Sequence, residues 1–506
     1  MKNQVQLITY VDRLSGGSIS DLRSLLDGPL EGLFGGVHLL PFYYPIDGAD
    51  AGFDPIDHTR VDPRLGTWSD VKAFAANREV MADVIVNHIS TDSEQFLSYS
   101  RFGKDSEFFE LFLTRDKVFP AGLGDAALRA IYRPRPGLPF MLTTLQDGRQ
   151  ETLWTTFSEK QVDIDVRSAA GRAYLDRILR TLGENEVSVL RLDAAGYAIK
   201  KPGTSCFMIP ETLDFIAELA GRAAELGMET LVEVHSHFRR QIEIASNVDW
   251  VYDFALPPLI LHAFEFATSR YLREWLKIRP QNAVTVLDTH DGIGIIDIGP
   301  DLGDSAELPG LVPPEELDSV IESIHRNSHD VSRMATGSMA SNLDLYQVNC
   351  TFYDAMSRDD RRYLSARAIQ FFIPGVPQVY YVGLLAGVND TDLLNRTGIG
   401  RDINRHYYDR AEVERDLKKP VVKALCQLMR LRNRHPAFDG EFVLLGGSDQ
   451  ELALRWQNGE QFAELWIDFR APTGSRCSRL TYSAEDTVIS MPLEGLLDGE
   501  VHAAVS

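Results

Sequence analysis

Residues 187–193 read VSVLRLD, and this short run decides how the rest of the chain is parsed. Val187, Val189, Leu190 and Leu192 make it apolar on both faces, as a strand buried in a parallel sheet must be. It ends on Arg191 and Asp193. Side chains alternate along a strand, so these two share one face and Leu190 and Leu192 share the other. A run that turns from apolar to charged at its C-terminal end reads as a strand arriving at a site.

The same grammar recurs on both sides of it. Upstream, Val5–Val11, Gly36–Pro41 and Met81–His88 (MADVIVNH) read as strands. Downstream, Thr230–His235 (TLVEVH), Trp250–Ala255, Ala283–Leu287 and part of Phe371–Val382 do so too. Between them lie apolar residues at helical spacing, clearest over Ser20–Leu26, Trp68–Ala76, Ala169–Leu182, Thr212–Leu226 and Leu259–Ile278. Eight alternating units predict an α/β fold, a (β/α)8 TIM barrel, with an open doubly wound sheet as the competing arrangement. Two stretches break the rhythm after strands three and seven and are read as loop-rich insertions. From about Asp439, short alternating strands at Phe442–Leu445, Leu452–Trp456 and Phe462–Phe469 predict a small all-β C-terminal domain. The expected division is barrel over 1–87, 168–291 and 359–438, insertions over 88–167 and 292–358, and the β domain over 439–506.

Bulk properties narrow the function. Among 506 residues, 51 are Lys or Arg and 73 are Asp or Glu, a formal charge of −22. Such a surface repels nucleic acid and anionic membranes, so neither is an expected partner. A phosphate site would need local Arg and His residues. Cys206, Cys350, Cys426 and Cys477 lie far apart, which predicts inert thiols rather than a disulfide framework or zinc site. The start of the chain lacks a signal-peptide pattern, and no apolar run reaches the roughly 18 residues of a membrane span. A soluble, cytoplasmic protein is expected.

Three carboxylates fall at predicted strand ends: Asp193, Glu233 and Asp291. In a barrel these ends converge on one mouth. Arg191 is expected to hold Asp193 ionised and oriented, as a nucleophile requires. Glu233, between Val232 and Val234, suits a general acid. His290 could donate to a sugar hydroxyl. Taken singly, each Asp could be a helix cap and each His a packed residue. Together they match the carboxylate pair of glycoside chemistry with a third group to steady an oxocarbenium-like transition state.

With these residues placed, the sequence resembles the α-amylase family of glycoside hydrolases. DVIVNH (Asp83–His88), RLDAAGY (Arg191–Tyr197), LVEVH (Leu231–His235), VLDTHD (Val286–Asp291) and PGVPQVYYVG (Pro374–Gly383) are similar to that family's motifs and stand in its order. Within the family the chain is most similar to the members that cleave sucrose with phosphate. The segments that carry this are GADAGFDPIDHTRVDPRLGTW (Gly48–Trp68), IYRPRPGLPF (Ile131–Phe140), NLDLYQVN (Asn342–Asn349) and GRDINRHYY (Gly400–Tyr408).

The resemblance implies roles. Asp193 would be the nucleophile, Glu233 the acid/base and Asp291 the transition-state stabiliser. Asp50, Phe53, His88, Arg191, His290 and Arg401 would bind glucose. Tyr132, Pro134, Arg135, Asp344, Tyr346 and Gln347 would line an acceptor subsite used in turn by fructose and phosphate. Sucrose, inorganic phosphate, fructose and α-glucose 1-phosphate are the implied ligands, with a homodimer and neither metal nor cofactor. Phosphorylases of sucrose 6′-phosphate or of a glucosylglycerate-type substrate, an α-glucosidase or transglucosylase, and a catalytically silent relative are the alternatives. The silent relative would be expected to have lost one of the three carboxylates.

Overall fold

The computed structural model describes residues 1–48, 50–135, 137–301, 308–336, 347–470, 478–485 and 487–499. Eight parallel strands close on themselves in sequence order. They are β1 (Gln6–Thr9), β2 (Gly36–Leu39), β3 (Glu79–Ile85), β4 (Val189–Asp193), β5 (Glu229–Val232), β6 (Trp250–Asp253), β7 (Ala283–Thr285) and β8 (Val376–Tyr380). Closure is explicit in the register. Gln6 of β1 pairs with Gly36 of β2 and with Gln378 of β8. An open sheet would leave two free edges, so the doubly wound alternative is excluded.

The helices pack outside because their apolar residues recur at three and four positions. Helix Ala169–Glu184 buries Leu175, Ile178, Leu179 and Leu182, and starts at Ser168, whose hydroxyl accepts from the Gly171 N–H. Inside the barrel, Met81, Val189, Leu231, Tyr252, Phe254, Val284 and Val286 fill the lower layer. Above them the inward positions turn polar. His38 Nε2 lies 2.9 Å from Asp83 Oδ2, and Arg191 bonds to Asp83 as well. The apolar layer is a floor, and the polar layer on it supports the site.

Between β3 and helix Ala169–Glu184 the chain forms short helices and two antiparallel pairs, His88–Ser90 with Gln161–Asp163 and Phe140–Thr144 with Gln150–Trp154. Buried Lys200 ties this segment to the barrel, with Nζ 2.6 Å from Asp163 Oδ2 and 2.7 Å from Asn87 Oδ1.

Three expectations need correction. The single helix expected over Leu259–Ile278 is two, Leu256–Phe266 and Arg270–Ile278. The break falls at Ala267, with φ 50°, where Ser269 turns to donate its hydroxyl to the Glu451 carbonyl at 2.8 Å. A partner in the C-terminal sheet outcompetes helical propensity there. The segment after β7, read as loop-like, holds helix Pro314–Asn327, which buries Leu317, Val320 and Ile324 behind an acidic outer face. The C-terminal sheet has five antiparallel strands rather than three. They are β9 (Glu441–Leu444), β10 (Glu451–Asn458), β11 (Gln461–Asp468), β12 (Ser478–Ala484) and β13 (Thr487–Pro492). The last two are rich in Ser and Thr, and their alternation is weak.

Candidate active site

Most runs read as strands extend past the barrel ladder at their C-terminal ends, while β4 carries Asp193 as its last residue. β5 ends at Val232, so Glu233 and His235 stand just above it. β7 ends at Thr285, and the chain then climbs through Asp288 to His290 and Asp291. Chains released from the ladder at the mouth can aim side chains inward. There Asp193, Glu233 and Asp291 line one pocket with Asp50, Phe53, His88, Tyr132, Pro134, Arg135, His290, Gln347 and Arg401. Asp344 and Tyr346 lie outside the described residues. Arg191 sits beneath the pocket, 2 % exposed at its side chain.

One guanidinium organises the centre. Arg191 Nη1 is 2.8 Å from Asp193 Oδ1 and also bonds to Asp83, while Nη2 is 3.6 Å from Glu233 Oε1. This changes the expectation for Asp193. Burial pushes its carboxyl well above the usual range, Arg191 pulls it down, and Glu233, Asp83 and Asp291 push it up again. A single Arg shared among three carboxylates orients Asp193 without neutralising its surroundings.

Asp291 has the opposite balance. Burial would raise it, but Arg401 at 2.9 Å, with Arg405 and His235, holds it far below the ordinary carboxylate range. Asp291 is therefore an anion at any working pH. Its loop is fixed from two sides. Asn404 Nδ2 donates to the Thr289 carbonyl at 3.0 Å and Arg405 Nε to the His290 carbonyl at 2.8 Å. From behind, Arg367 Nη2 reaches both oxygens of Asp288 at 2.8 and 2.7 Å.

The His290 ring stacks on Phe53, centroids 4.8 Å apart and planes within 7°. Burial keeps its pKa well below the ordinary value, with Arg191 and Arg405 adding to the effect, so it is a neutral imidazole. Its Nδ1 has no protein partner among the described residues. His88 is likewise held low by burial; its Nε2 lies 3.1 Å from the Phe53 carbonyl and 3.1 Å from Gln161 Nε2. Neutral imidazoles and carboxylates around one cavity suit a polyhydroxylated, uncharged ring.

Another cation stands beside Asp50. Arg135 Nη2 is 3.5 Å from Asp50 Oδ2, and its guanidinium lies 5.9 Å from the Phe157 ring centroid. Arg133 instead donates back to the Gly137 carbonyl of its own loop. Tyr132 stacks on Phe207 at 4.5 Å.

Sequence reasoning passed over His235, Phe157 and Phe207. For His235 a signal existed: it stands two residues after Glu233, on the same face by alternation. Phe157 and Phe207 come from irregular segments with no periodicity to expose them. His235 Nε2 is 3.8 Å from Glu233 Oε1, and Nδ1 is 3.0 Å from Asp297 Oδ2. Burial opposes its charge, but Asp297, Glu233 and Asp291 outweigh burial and push it up to about 9. Donor atoms of Glu233, His235 and Asp291 come within 4.8 Å of one another. Arg191 and Arg401 already serve the two carboxylates, and the imidazole is held as a cation. The set is matched to organic cations rather than to a divalent ion.

Residues 32–253 match the model of the α-amylase catalytic domain. The chain is 58% identical to a sucrose phosphorylase of Agrobacterium vitis over 96% of this chain and 99% of the relative. It is 52% identical to one of Bifidobacterium adolescentis over 92% of each. The crystal structure of sucrose 6F-phosphate phosphorylase from Thermoanaerobacter thermosaccharolyticum superposes with a TM-score of 0.88 at 37% identity, covering 97% of this chain and 98% of that one. At such identity over nearly full length, the chain belongs to the sucrose phosphorylase group of the α-amylase family.

Proposed function

We propose that the protein transfers the glucosyl unit of sucrose to inorganic phosphate, reversibly, giving α-D-glucose 1-phosphate and D-fructose. The observation that carries this is the pocket's composition. Three carboxylates and two neutral His residues frame a sugar site, and Arg135 and cationic His235 line the same pocket.

Asp193 attacks the anomeric carbon, and Glu233 gives its proton to the departing fructosyl oxygen. The bond from carbon to fructose breaks as the ester to Asp193 forms. Asp291, a permanent anion, stabilises the positive charge that develops on the sugar ring. Fructose leaves, and phosphate enters beside Arg135 and His235. An oxygen of hydrogen phosphate attacks the anomeric carbon from the opposite face, the ester bond to Asp193 breaks, and the phosphate proton passes to the Glu233 carboxylate, which restores the acid. Two inversions give retention. Phosphate arrives already charged, so it needs less help from a base than water does.

Sucrose 6′-phosphate is a weaker fit as substrate. It requires a second phosphate site, and Arg133, the neighbouring cation, is turned back on its own loop. A cytoplasmic homodimer divided at the boundaries given above completes the proposal. Family resemblance supports the dimer, and the free thiols of Cys206, Cys350 and Cys426 suit a reducing compartment. No helix among the described residues is long and apolar enough to cross a membrane.

The test is to incubate the protein with sucrose, with and without phosphate, and quantify fructose, glucose and α-glucose 1-phosphate. Phosphate-dependent glucose 1-phosphate in step with fructose is the expected result. Free glucose alone would move the protein to the hydrolases or transglucosylases.

A further inference from the structure

His235 is gripped on one edge and open on the other. Asp297, from the segment after β7, is fully buried and presents Oδ2 to His235 Nδ1 at 3.0 Å. Its other oxygen is already taken: Oδ1 accepts from the Ser236 backbone N–H at 3.2 Å and from Gln241 Nε2 at 2.7 Å. A carboxylate so engaged is an acceptor only, so Nδ1 carries a proton. Phe254 stacks on the imidazole, centroids 3.9 Å apart and planes within 17°. On the far side the backbone comes so close that a Cβ on Gly294 would lie 2.4 Å from Asp297 Oδ2 and 3.0 Å from His235 Nδ1. The ring cannot turn. Its Nε2 has no hydrogen-bond partner among the described residues, and the residue lines the pocket.

The acidic groups facing His235 are Asp297 from the segment after β7, Glu233 from just past its own strand, and Asp291 from the chain that climbs from β7 to the mouth. Arg191 and Arg401 stand behind Glu233 and Asp291 and temper them, yet the three carboxylates outweigh burial and favour a proton on Nε2 as well.

We infer that Asp297 is a positioning residue for the acceptor step: it fixes His235 as a cationic donor aimed into the acceptor subsite, and so favours a phosphate-class anion over water there. This rests on the phosphorolysis proposed above. Fructose is neutral and gains little from such a donor, so the effect belongs to the second half of the reaction. Arg135 on a mobile-length side chain and His235 on a clamped ring would then supply the anion with one adaptable and one fixed contact.

Asp297→Asn removes the charge at nearly constant shape. The phosphate concentration giving half-maximal rate should rise by about tenfold or more, because a charge-assisted bond is lost. The share of glucosyl units released as free glucose should rise with it. The single-turnover burst of fluoride from α-glucosyl fluoride, which reports only glucosyl-enzyme formation, should change by no more than about twofold. In the wild type, the phosphate response should weaken as pH rises through about 9, and in the variant it should weaken at lower pH. His235→Gln should reproduce the loss, and the double variant should be no worse than either single one. A burst that falls as far as the phosphate response, or strictly additive losses, would overturn the inference. If Asp297→Asn does not fold, His235→Gln decides, and an unchanged phosphate response in it overturns the inference. A wild type that makes no glucose 1-phosphate from sucrose refutes phosphorolysis itself, a result separate from these.

Discussion

Arg191 holds Asp193 through a single nitrogen, Nη1, at 2.8 Å, and that same nitrogen also bonds to Asp83 from the neighbouring strand. The proposed nucleophile is thus pinned to the barrel floor and cannot follow a substrate. Its partner nitrogen, Nη2, reaches towards Glu233. The two carboxylates that would exchange roles across the glucosidic bond are referenced to one rigid, planar group.

Asp193→Asn keeps the shape and the contact to Arg191 but cannot form the ester. Turnover of sucrose should fall by about 10⁴-fold or more, with the thermal melt unchanged or raised. Full activity in this variant would remove Asp193 from the mechanism.

Glu233→Gln should cost sucrose cleavage about 10²–10⁴-fold, the usual range for a lost proton donor. α-Glucosyl fluoride, whose leaving group needs no proton, should be largely spared. The pH profile carries a second signature. The Glu233 charge is one of the groups pushing the Asp193 carboxyl up. Neutralising it lets Asp193 ionise more easily, so the acid limb for the fluoride substrate should move to lower pH.

Arg135→Ala should raise the phosphate requirement more than it affects binding at the glucosyl site. The check is the KM for phosphate against the inhibition constant of glucose. Equal effects on both would make the 131–140 loop a structural element only.

Gly383→Ala tests the buried support behind Asp291. A Cβ there would lie 2.0 Å from Arg367 Nη2 and 2.1 Å from Asp288 Oδ2, prising a fully buried ion pair apart. A loss of about 3 kcal/mol is expected, read as a lower melting temperature and denaturant midpoint. Wild-type stability would show that the pair can separate without cost.

His235 makes stability depend on pH. Its value is raised from 6.5 to about 9 on folding, so its contribution is complete below 6.5 and is lost as pH rises through 9. The stability gap between wild type and His235→Gln should narrow across that window, by something on the order of 3 kcal/mol. A gap that stays constant would mean the imidazole is already neutral at pH 6.5.

Much of this was legible in the letters because barrel strands are buried on both faces. VSVLRLD, MADVIVNH and TLVEVH are mostly apolar, and their charged residues Arg191, Asp193, Asp83 and Glu233 gather towards the C-terminal ends, at the mouth. Asp193, Glu233 and Asp291 declared themselves in this way. Their charge states did not, because these depend on which cation each shares and with how many rivals. Arg191 stands two residues before Asp193 in sequence, yet Asp83 claims it too, from a strand more than a hundred residues away. Asp297 was hidden for a related reason. It stands in an insertion with no period, and only the fold brings it to His235. The helix break at Ala267 was equally invisible, since its cause is a carbonyl in the C-terminal sheet.

The closing seam of the barrel has a consequence for how the molecule is made. Gln6 in β1 finds one neighbour, Gly36, almost at once, but its other neighbour is Gln378. At typical synthesis rates a ribosome needs on the order of tens of seconds to deliver that partner. Until then the outer edge of β1 is an unpaired template within the nascent chain, open to wrong partners. Nonsense products ending before Val376 should be aggregation-prone fragments rather than smaller folded barrels.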